Sequence, residues 1–345
     1  MNMKNYLRWM LVVGVIVSGV DLYAGSGKRK GTAGAQELLI PVGGLGIGLS
    51  GALTSSARGV EAIFWNPAGI ANLTGSAEAM FSHMNYIADI NVEYAAVATK
   101  LGEAGTVAFS IRSMNFGDIP VTTVDQPDGT GETYSPTFLT LGLSYSRSMT
   151  DRIMFGATAK LVSEQIVRES ATGVAFDFGL QYQTAQRGLK FGVALKNLGP
   201  NMKFDGPDLE STVQIPGTEP GTQPRPLRLT SESFELPSTL EMGASYDLEF
   251  GDNASLMLTG AFEHHNFSND DFKGGVELSY DKTLFVRGGY ILSPDTPEDD
   301  VIYTYSAGVG VNLQLASNIN VAVDYAYRAA KLFGANQVFS VKLGL

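Results

Sequence analysis

The sequence predicts an all-β protein, a transmembrane antiparallel β-barrel of about 14 strands with an N-terminal plug or hatch segment, and three observations predict it. The first is the length of its alternating runs. Over residues 301–315, Val301, Tyr303, Tyr305, Ala307, Val309, Val311, Leu313 and Leu315 face one way, while Thr304, Ser306, Gly308, Gly310, Asn312 and Gln314 face the other. A strand of a soluble sheet averages about five or six residues, whereas a tilted strand crossing about 30 Å of hydrocarbon needs about nine to eleven. Backbone polar groups cannot stay unpaired in lipid, so one such strand implies a closed set. The second observation is the number of such runs, and the third is the parity of the connections between them.

About fourteen period-two runs follow Ser76, near residues 76–86, 91–101, 104–115, 137–148, 151–165, 171–183, 188–198, 238–249, 252–264, 271–281, 283–292, 300–315, 318–328 and 335–345. Their two faces differ in character. Leu189, Phe191, Val193 and Leu195 alternate with Lys190, Gly192, Ala194 and Lys196, and Val174, Phe176, Phe178, Leu180 and Tyr182 alternate with Ala175, Asp177, Gly179 and Gln181. One face suits lipid and the other a polar lumen, which also accounts for a mean hydropathy of only +0.04. The even-numbered connections are tight: Gly102-Glu103-Ala104, Met149-Thr150, residues 184–187, Phe250-Gly251, Lys282 and Ala316-Ser317. The long ones, residues 116–136, 199–237 and 293–299, are all odd-numbered. Short turns at the periplasmic rim and long loops outside are the pattern of outer-membrane barrels. Long strands, this parity and an export signal all argue against a soluble propeller or sandwich.

The chain start supports export. Lys4 and Arg8 precede the apolar stretch 10–20, and Leu22-Tyr23-Ala24 resembles a small-residue cleavage site, so residues 1–24 read as a signal peptide rather than an anchor. Its removal moves the formal net charge from −11 to −12, because Lys4, Arg8 and Asp21 leave with it. An acidic chain without a basic stripe is a poor nucleic-acid binder. Cysteine is absent, so lipoprotein acylation, disulfides and thiol chemistry are excluded.

Residues 25–75 do not alternate and form the predicted plug, ahead of a barrel assigned to residues 76–345. Glycines crowd Gly43-Gly44-Leu45-Gly46-Ile47-Gly48, where they permit close backbone approach. Asn66 before Pro67 suits an N-cap and first helical position, so a short helix is expected over residues 67–73. The apolar Ile63, Phe64 and Trp65 suit packing inside a lumen or lining a hydrophobic path; a barrel this wide must hold water, ligand or a plug.

Gly31-Thr32-Ala33-Gly34-Ala35, Leu39-Ile40-Pro41-Val42-Gly43, and Gly59-Val60-Glu61-Ala62 leading into Phe64-Trp65-Asn66-Pro67-Ala68-Gly69 together resemble the leading segment of the PorV/PorQ family, relatives of the FadL-type outer-membrane barrels. The resemblance is specific over residues 31–75 and generic beyond. It implies a fourteen-stranded barrel of the bacterial cell outer membrane with a hatch folded into the lumen. It also implies, for PorV-like members, binding of secreted protein cargo within a type IX secretion system. Gly59, Glu61, Ala62, Phe64, Trp65, Asn66, Pro67, Ala68 and Gly69 are the hatch residues that carry it. The chain departs from the pattern at Gly44-Leu45-Gly46, where many members have an arginine, and at Leu345, where barrels commonly end on an aromatic.

Candidate chemistry is sparse. Of the three histidines, His264 and His265 stand beside Asp270 and Asp271 in a loose grouping without metal-ligand spacing, and His83 lies on the first strand. They compose no Ser/His/Asp set, so no enzyme activity, catalytic residue, metal or cofactor is expected. Glu298, Asp299 and Asp300 read as a solvated acidic loop, with a calcium or lipopolysaccharide bridge as the sharper alternative. Lys160, Arg112, Asp177, Lys190, Lys196, Glu241, Glu277, Arg287, Asp324, Arg328 and Lys342 fall on the lumen face and are expected to pair across the wall or with the plug. The proline-rich residues 201–237 read either as a disordered external loop or as a partner-binding or occluding one. Expected partners are outer-membrane lipid and lipopolysaccharide, secreted cargo or secretion-machinery proteins, or a hydrophobic ligand. Two functions follow: a cargo-binding secretion component on the strength of the resemblance, and alternatively a FadL-like diffusion channel for hydrophobic small molecules.

Overall fold

Strict alternation leaves each strand apolar on one face, and closing the sheet sends that face to lipid and the other to the lumen. The computed structural model describes residues 31–184, 188–213, 223, 225–316 and 319–345, so the expected signal peptide lies outside the described residues. Fourteen antiparallel strands form one closed barrel: β1 (Ala77–Asn85), β2 (Asn91–Lys100), β3 (Thr106–Asn115), β4 (Thr137–Ser148), β5 (Ile153–Ile166), β6 (Glu169–Gln183), β7 (Leu189–Leu198), β8 (Thr239–Phe250), β9 (Ala254–His265), β10 (Asp271–Tyr280), β11 (Leu284–Leu292), β12 (Tyr303–Ala316), β13 (Ile319–Ala330) and β14 (Gly334–Gly344). Each pairs with its chain neighbour, and β14 closes on β1 from Glu78 opposite Gly344 to Asn85 opposite Gln337. No described helix is long and apolar enough to cross a membrane.

The outer surface carries the apolar set, including Phe81, Phe109, Leu143, Phe176, Phe178, Phe191, Val276, Val309 and Phe339. Along β12, Tyr305, Val309 and Leu313 are exposed while Ser306, Gly308 and Gly310 are buried, as the alternation predicts. Tyr303 departs from it. A register shift between Tyr303 and Ser306 turns its ring inward, where the Arg328 guanidinium lies 3.7 Å from the ring centroid. A bulge adds a residue to one strand and reverses the facing beyond it. The turn between β10 and β11 is tight because Asp281 and Lys282 both take left-handed conformations and Thr283 N–H donates to the Tyr280 carbonyl at 3.1 Å, the twist a two-residue hairpin needs.

Residues 31–73 occupy the lumen. They begin at the long-loop rim, where Gly31 N–H donates to the Phe267 carbonyl and Gly34 N–H to the Glu235 carbonyl. They leave at the short-turn rim, where Ser76 N–H meets the carbonyl of Leu345. The plug therefore runs from the external to the periplasmic end. It contains α1 (Gly44–Gly48), α2 (Ala62–Trp65) and 3₁₀ turns at Gln36–Leu39, Gly59–Glu61 and Pro67–Asn72. The last is the helix expected after Asn66, whose side chain accepts from Ala68 N–H at 3.1 Å. The glycine-dense run forms α1, a helix that periodicity alone does not announce.

The described part of residues 199–237 is ordered rather than a free tail. Met202–Lys203 pairs with Ser233–Phe234, and Glu210–Val213 with Arg225–Arg228. Arg228 pairs with Asp205, and Arg168 at the tip of the β5–β6 hairpin pairs with Asp208.

Candidate functional site: the plugged lumen

Glycine inside a strand weakens it by roughly 0.5–1 kcal/mol, so a set of lumen-facing glycines needs a compensating reason. Here the reason is close approach. Gly156 and Gly179 are direct cross-strand partners, as are Gly192 and Gly243, and Gly275 and Gly289. Each pair is a seat for plug backbone. A methyl group on Gly156 would sit 2.2 Å from the Pro67 carbonyl oxygen, on Gly179 2.0 Å from Asn66 Oδ1, on Gly192 2.3 Å from the Thr54 carbonyl oxygen, and on Gly289 2.5 Å from the Leu49 carbonyl carbon.

All nine hatch residues singled out in the sequence lie in this plug. Gly59 has a left-handed backbone and lies against Glu78, whose carboxylate accepts Val60 N–H at 3.0 Å. Glu61 accepts from Gly46 N–H at 3.2 Å and pairs with Lys342 on β14 at 2.8 Å. Ala62 is fully buried, and Gly69 stands where a methyl would strike the Ala57 carbonyl at 2.1 Å. Phe64 and Trp65 meet edge to face at 5.0 Å, beneath the Lys196 ammonium at 5.0 and 5.9 Å from their centroids. Asn66, also fully buried, ties the plug to two strands: its Nδ2 donates to the carbonyls of Thr54 (2.8 Å), Leu180 (3.2 Å) and Val193 (3.3 Å). Pro67 and Ala68 rest on Gly156, and the Ala68 carbonyl accepts from Ser146 on β4 at 2.9 Å.

The lumen charges pair as expected. Arg287 bridges Glu277 and Asp324 at 2.5 Å each, Lys160 meets Asp177 at 2.5 Å, Lys190 meets Asp247 at 2.6 Å, and Lys196 meets Glu241. Glu241 in turn accepts from the Thr54 hydroxyl of the plug at 2.7 Å, and Arg112 donates to the Ile40 carbonyl at 3.2 Å. Ser50 and Ser306 hydroxyls meet at 2.7 Å, and Gly44 N–H donates to Ser340 at 3.0 Å. Arg328 holds Asn336 rather than a carboxylate. Under the plug, a polar cavity of about 180 Å³ at the periplasmic end is lined by Ser55, Ser56, Arg58, Gln181, Gln183 and Lys190.

The external half of the wall differs. Val338, Met84, Val92, Met114 and Phe138 are successive cross-strand partners on β14, β1, β2, β3 and β4. They form an apolar row around one side of the mouth, all but Phe138 nearly fully buried. Ile40 and Val42 of the plug belong to the same packed cluster, with Tyr86, Ile90 and Phe116 at its edge. Phe116 and Phe138 meet edge to face at 4.8 Å. A second apolar cluster joins plug residues Ala35 and Leu38 to Val162, Met202 and Leu236 under Phe204 and Phe234, and Phe234 lies flat enough on Gly34 that a methyl there would strike its ring.

Glu164 on β5 continues the row beyond Phe138 and faces Glu37 of the plug. Glu37 is buried, and its carboxyl meets that of Glu164. Burial raises its carboxyl above the ordinary carboxylate range, opposed in part by Arg112. A raised folded value means that this carboxyl's stabilising contribution is complete below the ordinary carboxylate range and is lost as pH rises through the raised value. Glu37→Gln should therefore raise the melting temperature at about pH 8, by an effect on the order of 1 kcal/mol, and leave it unchanged near about pH 4. Thermal melts across pH check this; equal shifts at both ends would remove Glu37 as the cause.

The fold has solved counterparts. The chain is similar to the CymD monoaromatic hydrocarbon channel, with 14% identity over 88% of this chain and 97% of that one and a TM-score of 0.54. It is similar to the Ralstonia pickettii toluene transporter TbuX, with 13% identity over 88% and 98% and a TM-score of 0.55. A Pseudomonas aeruginosa FadL homologue gives 14% identity, 88% and 98% coverage and 0.51. At such identities the likeness is one of fold. No family model matches the sequence, and no curated protein matches it. The chain is an outer-membrane β-barrel: fourteen strands, an apolar exterior and a fold shared with outer-membrane barrels.

Sequence reasoning did not find the apolar row or the paired glycines. Each member is an ordinary strand residue alone, and only the register aligns them.

Proposed function

We propose that this barrel admits small hydrophobic molecules across the outer membrane through a plug that moves. The observation that carries the proposal is the row Val338–Met84–Val92–Met114–Phe138. A lumen that conducts polar solutes is lined by polar groups, whereas these apolar side chains face inward at the external mouth and pack on Ile40 and Val42 of the plug. A hydrophobic solute can replace those plug contacts at little cost, since apolar burial is nondirectional. The fold neighbours, a monoaromatic hydrocarbon channel and a toluene transporter, agree with this reading. In it, Gly59, Glu61, Ala62 and residues 64–69 are the seat of the movable element, and Phe64 with Trp65 its apolar face.

The alternative, a PorV-like component that binds secreted cargo through residues 201–237, keeps the resemblance of residues 31–75 as its support. The comparisons add none to it, and Phe234 of that loop is engaged with the plug.

The chain has no cysteine, so a disulfide placed where the Ser50 and Ser306 hydroxyls meet locks the plug to β12 cleanly. Ser50→Cys/Ser306→Cys is expected to take up an alkylbenzene probe into proteoliposomes when reduced and to lose at least about tenfold of that rate when oxidised. Wild-type uptake no faster than empty vesicles would overturn the channel reading. Equal uptake in both redox states would overturn the moving plug.

A further inference from the structure

We propose that Glu263, His265 and Asp271 form a binding site for a divalent transition metal, Zn²⁺ by ligand chemistry, at the external end of the β9–β10 hairpin. Alternation brings them together. Glu263 and His265 are two apart on β9 and share its inward face, and the register sets Asp271 of β10 directly opposite Glu263. His265 Nε2 lies 3.4 Å from Asp271 Oδ2 and 3.6 Å from Glu263 Oε2, and one donor atom from each residue lies within 4.8 Å of the other two. A tetrahedral zinc ion with bonds of about 2.0–2.1 Å holds its donors about 3.3–3.4 Å apart, so the tripod needs little movement to close. One imidazole and two carboxylates leave a fourth position for water, and the nitrogen donor favours zinc over calcium or magnesium.

The imidazole is set for this role. Its side chain is only 11% exposed, and Nε2, the nitrogen that faces both carboxylates, is the donor to the ion, while Nδ1 on the far side of the ring is buried. The two carboxylates alone engage the ring. His264, the other histidine of the pair, faces outward and is capped by Asp270 at 2.8 Å. It takes no part.

One group competes. The Lys273 ammonium pairs with Glu263, and a methyl on Gly51 of the plug would lie 3.3 Å from it. A metal on Glu263 displaces that ammonium toward the plug, so occupancy and plug seating are linked. Removing Lys273 therefore strengthens metal binding.

The test uses the full-length, untagged protein in detergent, titrated with Zn²⁺ by calorimetry and with Co²⁺ followed by its visible absorption. One equivalent of Zn²⁺ is expected to bind, with a tetrahedral Co²⁺ spectrum. His265→Ala and Asp271→Asn should each weaken binding by at least about tenfold, in the range seen for altered metal environments. Lys273→Met should tighten it, and His264→Ala should change nothing. Heat-modifiable gel migration confirms that each variant retains its barrel, and Asp271→Asn, nearly isosteric, keeps the test valid if His265→Ala fails to assemble. Absence of stoichiometric binding by wild type, or binding indifferent to both His265→Ala and Asp271→Asn, overturns the site. Ca²⁺ binding that survives His265→Ala overturns the zinc assignment.

Discussion

Gly192→Val is expected to release the plug and turn a closed barrel into a conducting one. The first carbon of the new side chain would fall 2.3 Å from the Thr54 carbonyl oxygen, and that oxygen has no freedom to retreat. Asn66 Nδ2 donates to it at 2.8 Å and Gln181 Nε2 at 3.2 Å. The neighbouring strand leaves no room either, since Gly243 pairs with Gly192 and a methyl there would lie 3.1 Å from the Thr54 side chain. Overpacking costs about 1–3 kcal/mol, and relieving it by lifting residues 54–66 gives up the Thr54–Glu241 and Asn66 hydrogen bonds, each worth about 0.5–3 kcal/mol. The strand ladder does not depend on those bonds, so the barrel survives. Planar-bilayer recordings should show a silent wild type and a conducting variant, with conductance up at least about tenfold as the lumen fills with water. Limited proteolysis should cut within residues 31–73 in the variant alone. Gly288→Val is the control, because a side chain there meets nothing within 4 Å. A Gly192→Val protein as silent and as protease-resistant as Gly288→Val would mean that the seats do not hold the plug.

The second large effect concerns the mouth. Met84→Asn/Met114→Asn is expected to lower the affinity for an alkylbenzene probe by at least about tenfold without opening the channel to ions. Burying a methionine side chain is worth about 1.5–3 kcal/mol, and losing about 1.4 kcal/mol of that is tenfold in affinity. Both side chains are at most 5% exposed and lie in one cross-strand row with Val92 between them. Amides placed there favour water over an aromatic solute. Phe138→Leu, which keeps the row apolar, should stay within about threefold of wild type. Fluorescence competition in detergent micelles measures both. Unchanged affinity in the double variant would remove the row as the binding surface.

The barrel was legible because its evidence is local. Each spanning strand shows its alternation in its own residues, and each tight turn shows its brevity, so strand number and rim parity could be read without knowing any contact. What escaped lies in register or in facing. Met84, Val92, Met114 and Phe138 sit on four strands, and none looks unusual until pairing sets them side by side. Alternation alone puts Tyr303 on the outer face, because a bulge leaves no mark in the residues that precede it. His264 and His265 are neighbours in sequence, yet adjacency on a strand means opposite faces, and the partner of His265 is Glu263. In the plug, Asn66 and Pro67 announced their turn through capping chemistry. α1 stayed hidden because glycine carries no periodicity; its helix exists through the fit of Gly46 under Trp65 and of Gly48 on Gly308.

The direction in which the plug is threaded bears on how the molecule is assembled. Gly44 bonds to Ser340, Ser50 to Ser306 and Glu61 to Lys342, contacts that span 296, 256 and 281 residues. The segment made first thus waits for the strands made last, and such distant pairing is slow to form. A chain that has inserted most of its sheet still lacks the strands that receive Gly44, Ser50 and Glu61. Docking of the plug then marks a finished molecule, and a partly built one stays unsealed on its way into the membrane.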